Sequence, residues 1–176
     1  CYRRRTRRNQ LQSRLAGRLQ AARSEGVKVA AWLAVPAGGR NYLMPLGQSG
    51  EIFPWAGVQP VPYTKPWFLG IASLRGTLAG VIDLASLLGH GVARSEPALA
   101  ESSLLAFNAA LEVNASLLVD RLQGLRSADA FVRTEPAPEQ SPAFFGPVHI
   151  DEAGHRWQEL QLQRLSQTSE FLSIRA

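Results

Sequence analysis

Two short acids stand where a carboxylate pair could exchange a proton. Asp83 closes the apolar run Leu78 to Ile82, and Asp120 closes Leu117-Leu118-Val119. Acid–base work by such a pair needs a positioned substrate and a shifted pKa, and the flanking sequence supplies neither. A short acid at a strand end more simply takes the backbone amides of the turn that follows, and both acids are assigned that role. His90, His149 and His155 have no metal-ligand spacing; His149 and His155 straddle an expected hairpin turn and are read as structural or solvated. Gly47-Gln48-Ser49-Gly50 lacks the last glycine of a nucleophile elbow, because Glu51 follows. Gly89-His90-Gly91 begins like a dinucleotide fingerprint without its third glycine. The single cysteine is Cys1, which excludes an internal disulfide and a cysteine metal cluster. Asn114-Ala115-Ser116 is a formal glycosylation sequon with no meaning in a cytoplasmic protein. No catalytic residue, metal site or cofactor emerges, and the expectation is a protein that is not an enzyme.

One arginine stands apart. Within Pro66 to Ser86, PWFLGIASLRGTLAGVIDLAS, Gly70 and Gly76 bracket Ile71-Ala72-Ser73-Leu74-Arg75. Glycines permit backbone conformations and close approaches that a Cβ hinders. An arginine pinned between them is held outward, with five donors on a rigid turn, and arginine is enriched at interface hot spots. Leu78 to Ile82 reads as a buried strand. This segment resembles the signature of CheW-like domains, where a small-residue Asn-Leu-Arg-Gly turn leads into a Pro-Val-Val-Asp-Leu-like strand. Ser73 here replaces the usual asparagine, and Ala79-Gly80 stands where a proline is common. The likeness extends to Glu51-Ile52 ahead of Val61-Pro62, to Leu117-Leu118-Val119-Asp120, and to Trp157-Gln158-Glu159-Leu160 with Leu162 and Leu165. Trp67-Phe68-Leu69-Gly70 and the arginine-rich N-terminal helix are similar to the PilI subgroup, which serves pilus (twitching-motility) chemosensory systems.

The resemblance implies an all-β fold of two small five-stranded SH3-like barrels with a hydrophobic groove between them. It implies a cytoplasmic adaptor that joins the tip of a methyl-accepting chemoreceptor to a CheA-type histidine kinase, without membrane insertion. By the same resemblance Glu51, Ile52, Arg75 and Gly76 belong to the partner-facing surface. Trp67 and Phe68 have two readings, plain core or the wall of a groove receiving a helical hairpin tip.

The elements that must hold these residues follow from periodicity and punctuation. Leu11, Leu15, Leu19 and Ala22 form one stripe of a helix that Gly26 stops, so residues 1–28 are read as a basic helical extension and 29–173 as the CheW-like domain. Val29 to Val35, the turn Pro36 to Gly39, and Arg40 to Leu46 make a hairpin. Glu51 to Trp55 is a third strand, and Gln59 to Pro62 an edge or connection. Thr64 is expected to cap one turn containing Pro66 and Trp67. Gly89 to Ser102 is loop or short helix; Ser103 to Asn108 and Val113 to Leu122 are strands. The prolines between Thr134 and Pro147 predict an extended loop. Val148 to Ile150 and His155 to Leu162 form a last hairpin, and Leu162, Leu165 and Phe171 suit a short terminal helix. Short strands with close turn signals indicate all-β barrel architecture; periodicity by itself does not divide them into two barrels.

Charge separates along the chain. Of the 176 residues, 1–28 hold nine Lys/Arg and one acid, a net of +8, while 29–176 hold ten and thirteen, a net of −3. A basic arm suits nucleic acid or anionic lipid, and a nucleic-acid-binding barrel is the main rival reading. Such a module interleaves basic and aromatic residues on one face. Trp32, Trp55, Trp67 and Trp157 are not set among basic clusters, which favours the adaptor.

Overall fold

The computed structural model describes residues 29–173, so the helix read over residues 11–26 lies outside the described residues. The chain opens with a hairpin of β1 (Trp32–Ala37) and β2 (Arg40–Pro45). Ala37 pairs with Arg40, and Gly38 and Gly39 both have positive φ, the two-residue type I′ connection that matches strand twist. Pro36 and Ala37 therefore belong to the strand, and the turn is the glycine pair alone. β3 (Ser49–Pro54), β4 (Phe68–Leu74), β5 (Thr77–Asp83), β6 (Ser103–Phe107) and β7 (Ala115–Val119) follow, and then β8 (Leu125–Arg126), β9 (Phe131–Glu135), β10 (Phe145–Asp151) and β11 (Arg156–Leu160). Among the described residues four short α-helices punctuate them: α1 (Leu84–Leu87), α2 (Glu96–Glu101), α3 (Leu162–Ser166) and α4 (Ser169–Leu172).

The strands form two sheets, in the orders β8-β1-β2-β11-β10-β9 and β3-β6-β7-β5-β4. Neighbours are antiparallel except β2 with β11 and β5 with β7. The all-β expectation holds, with six and five strands in place of five and five. The extra member, β8, is only two residues long and pairs with Trp32 and Leu33, too short for any periodicity.

Other boundaries moved for identifiable reasons. The strand expected from Val113 to Leu122 shortens to β7, because Glu112 takes a left-handed conformation before it and the Asp120 amide bonds Pro36 O in the other sheet after it. The extended loop expected from Thr134 loses its first two residues to β9 and its last three to β10. Pro147 is tolerated there because a bulge between Phe145 and Val148 takes it out of the ladder. Thr64 caps no helix; its hydroxyl donates to Val61 O at 3.0 Å. The terminal helix is two helices, and Thr168 caps the second by accepting from the Phe171 amide.

Alternation along the strands builds three cores. Leu33, Val35, Tyr42 and Met44 face one way and meet Trp67, Ile82, Leu117 and Val119 in a core shared by the two sheets, which α3 and α4 seal with Leu162, Leu165 and Phe171. Ala34, Leu43 and Trp157 face the six-stranded barrel's interior, and Ala72, Val81, Leu104 and Leu118 that of the five-stranded barrel. Strands buried on both faces lose the polar half of their alternation, which explains unbroken runs such as Leu117-Leu118-Val119.

Candidate functional site

Arg75 and Gly76 are the two residues of the β4–β5 turn, closed by the Leu74–Thr77 pair, with φ of 50° and 76°. This is again a type I′ turn, in which the first position favours Asn, Asp or Gly. An arginine there spends some backbone strain to stand at the tip. Ile71 to Leu74, read as part of the turn, is strand. Gly70 is the true close-approach glycine: φ is 144°, and a Cβ would sit 2.8 Å from the carbonyl carbon of Gln59. That contact lets Gln59 and Ile71 exchange hydrogen bonds of 2.8 and 2.9 Å.

β3 and β4 are the two edges of the five-stranded sheet. The Gln59–Ile71 bridge pins the connection between them to the β4 edge, and an ion pair, Arg75 Nη2 to Glu51 Oε1 at 2.5 Å, joins the two edges. Two site residues proposed separately are thus partners. Their side chains are 76% and 42% exposed, so the pair contributes at most about 1 kcal/mol and the guanidinium stays reachable. Ile52, beside Glu51, is exposed.

Trp67 and Phe68 part company. Trp67 is buried in the shared core and does not line the groove beside Phe68. Phe68 is half-buried and lines a groove of about 480 Å³ with Ile71, Leu78, Gly80, Val113 and Leu172. Gly80 makes room for the ring: a Cβ there would lie 2.9 Å from Phe68 Cε2. Leu78 and Leu172 keep more than half their surface exposed, leaving an apolar rim.

The two acids do not take the backbone amides of their own turns. Both meet Arg94, a residue the sequence did not single out. Arg94 Nη1 donates to Asp83 Oδ2 at 2.8 Å and Arg94 Nη2 to Asp120 Oδ1 at 3.3 Å. Ser86 also donates to Asp83 Oδ2, and Asp120 Oδ2 accepts from the Gly38 amide of the β1–β2 turn. The cluster ties the ends of parallel β5 and β7 to the other sheet.

His90 and His149 are structural. The Tyr42 hydroxyl and His90 Nε2 are 2.6 Å apart. His149 lies between Trp32 and Phe131, 3.1 Å from the Thr134 hydroxyl and 3.8 Å from Glu159. Burial holds the His149 pKa below its ordinary value, against the pull of Glu159. The unfolded histidine takes its proton near pH 6.5, so the unfolded state binds more protons just below that pH. Stability should be complete above about pH 6.5 and fall as pH drops toward the lower native pKa. The melting temperature is expected to decline as pH falls below about 6.5, and to do so less in His149→Gln; equal pH slopes in the two proteins would contradict this. Glu135, with Arg156 donating to it, and Asp151, with the Trp157 indole donating to it, titrate below the ordinary carboxylate range, so their loss falls in a separate, more acidic window.

Among the described residues no group of three His, Cys, Asp or Glu could hold a metal ion, and no helix is long and apolar enough to cross a membrane. What remains is an arginine turn, a seam and an apolar groove. The sequence model of the CheW-like domain family matches residues 31–170. The chain belongs to the CheW-like family. As a CheW-like protein it is not an enzyme. It is 28% identical to Protein PilI of Pseudomonas aeruginosa over 165 residues, covering 92% of this chain and 88% of that one. Its fold is similar to the crystal structure of the scaffolding protein TtCheW from Thermoanaerobacter tengcongensis, with a TM-score of 0.63, 18% identity, and coverage of 81% and 96% of the two chains.

Proposed function

We propose that this CheW-like chain is a cytoplasmic adaptor that couples the tip of a methyl-accepting chemoreceptor to a CheA-type histidine kinase, in a pathway controlling type IV pilus twitching motility. The observation that carries the reading is Arg75, displayed on a rigid turn next to an apolar groove. Glu51, Ile52, Arg75 and Gly76 offer one exposed face, an ion pair beside an aliphatic side chain. Phe68, Leu78 and Leu172 offer an apolar channel suited to a helical hairpin tip. A scaffold with two such contacts raises the local concentration of kinase at receptor and lets a small receptor motion bias kinase populations. The 28% identity to Protein PilI supports the pilus pathway. The nucleic-acid reading rests on the basic arm, outside the described residues; in the described domain Trp67 and Trp157 are buried and offer no stacking platform.

The test is binding of a receptor signalling fragment and a kinase regulatory domain to the immobilised chain. Leu78→Asp is expected to weaken the receptor fragment by about tenfold or more while the melting temperature holds, because Leu78 is 64% exposed. Failure of the parent chain to bind either fragment would contradict the reading.

A further inference from the structure

The groove beside Phe68 has no cover among the described residues. Asn114 is the one polar side chain among its lining residues, and Leu78 and Leu172 on its rim are 64% and 69% exposed. Contiguous apolar surface of this kind marks a docking site. Such a groove takes an amphipathic helix whose apolar anchors recur every third or fourth residue. The chain itself carries a stripe with that spacing, Leu11, Leu15, Leu19 and Ala22, outside the described residues.

Reach and charge both favour this segment as the occupant. Ala31 O accepts from the Leu46 amide and Gln48 O from the Asn108 amide. Next to Asn108, the Phe107 ring meets the ring of Phe171, a lining residue, at 5.6 Å. The arm therefore joins the domain on the groove's side. Residues 23–30 separate the stripe from Ala31, and eight extended residues span up to about 28 Å. A tether this short gives an effective concentration on the order of millimolar, which favours the chain's own segment over a second copy. Arg14, Arg18 and Arg23 sit off the stripe, in an arm with nine basic residues and one acid. On the domain, Glu112 and Glu170 each precede a lining residue, are exposed, and enter no ion pair among the described residues. Opposite charges at a rim steer the encounter and set its orientation.

We propose that residues 11–22 dock in the groove of their own chain, with the leucine stripe on Phe68, Leu78 and Leu172 and the flanking arginines toward Glu112 and Glu170. The consequence for signalling rests on the receptor reading of this groove: the arm must leave before a hairpin tip enters. The experiment uses the full chain carrying Cys1→Ser and Gln20→Cys, with a nitroxide on the new thiol, and follows the Leu78, Gly80 and Leu172 amide resonances. These should broaden, while those of Val132 and Arg133 on β9 should not. The broadening should be absent when the isotope and the nitroxide are on different chains mixed together, and it should be lost in Leu15→Asp/Leu19→Asp. No broadening at the groove, equal broadening in the mixed sample (a second copy as occupant), or undiminished broadening in the double variant would overturn the proposal. A receptor signalling fragment should bind that double variant on the order of twofold more tightly or better, because more grooves are open. Unchanged fragment affinity together with lost broadening would leave the docking in place and count against the receptor reading.

Discussion

Replacing Arg94 with alanine is expected to lower the unfolding free energy by about 3–5 kcal/mol, the usual consequence of stranding one member of a buried ion pair. The side chains of Arg94 and Asp83 are 10% and 9% exposed, so water cannot readily replace the guanidinium at Asp83. Asp120, with a 40% exposed side chain, can rehydrate and contributes little of the loss. The same change unpins the Gly89–Ser95 segment and the contact between the two sheets at Gly38. Arg94→Lys should recover part of the loss, because an ammonium reaches one carboxylate but lacks the fork that serves two. Urea unfolding measures both variants. A loss under about 1 kcal/mol for Arg94→Ala would place the cluster with ordinary surface pairs.

Reversing Arg75 to glutamate should act in the opposite way, on binding and not on folding. A guanidinium at an interface makes charge-assisted, often bidentate bonds to acidic groups or carbonyls. Reversal replaces them with repulsion, a loss on the order of 2 kcal/mol, or about thirtyfold in affinity for a partner fragment. The fold loses only the exposed pair to Glu51 and gains a like-charge contact, together under about 1 kcal/mol. Arg75→Asn separates turn from charge: asparagine suits the positive φ, so it should melt at or above the parent temperature and still bind weakly. Unchanged affinity in Arg75→Glu would remove the interface role, and a collapsed melting temperature would make Arg75 structural.

The contrast between these residues explains what the sequence could tell. Arg75 was legible because its environment is local: a glycine neighbour, a two-residue turn and an apolar strand all lie within ten residues of it. Arg94 was not, because Asp83, Asp120 and Arg94 come from three segments whose meeting depends on β5 and β7 lying parallel, and no period records that. The acids looked like turn caps for the same reason: the competing donor was invisible. Trp67 and Phe68 look alike in sequence and differ in burial because the chain enters β4 between them. The Glu51–Arg75 pair required knowing that β3 and β4 are the two edges of one closing sheet. The sheets were missed at β4, whose residues were taken into the glycine-bracketed turn, at β8, and at β9, where Val132 and Arg133 face solvent.

The central claim, a scaffold with two partner faces, is tested most directly by sedimentation of three purified components: this chain, a receptor signalling fragment and a CheA-type kinase regulatory domain. The account predicts one species containing all three, with receptor fragment and kinase domain joined far more weakly when the chain is omitted. It also predicts that Arg75→Glu reduces the three-part species while the variant stays folded. Receptor fragment and kinase domain that associate equally well with and without the chain would contradict it.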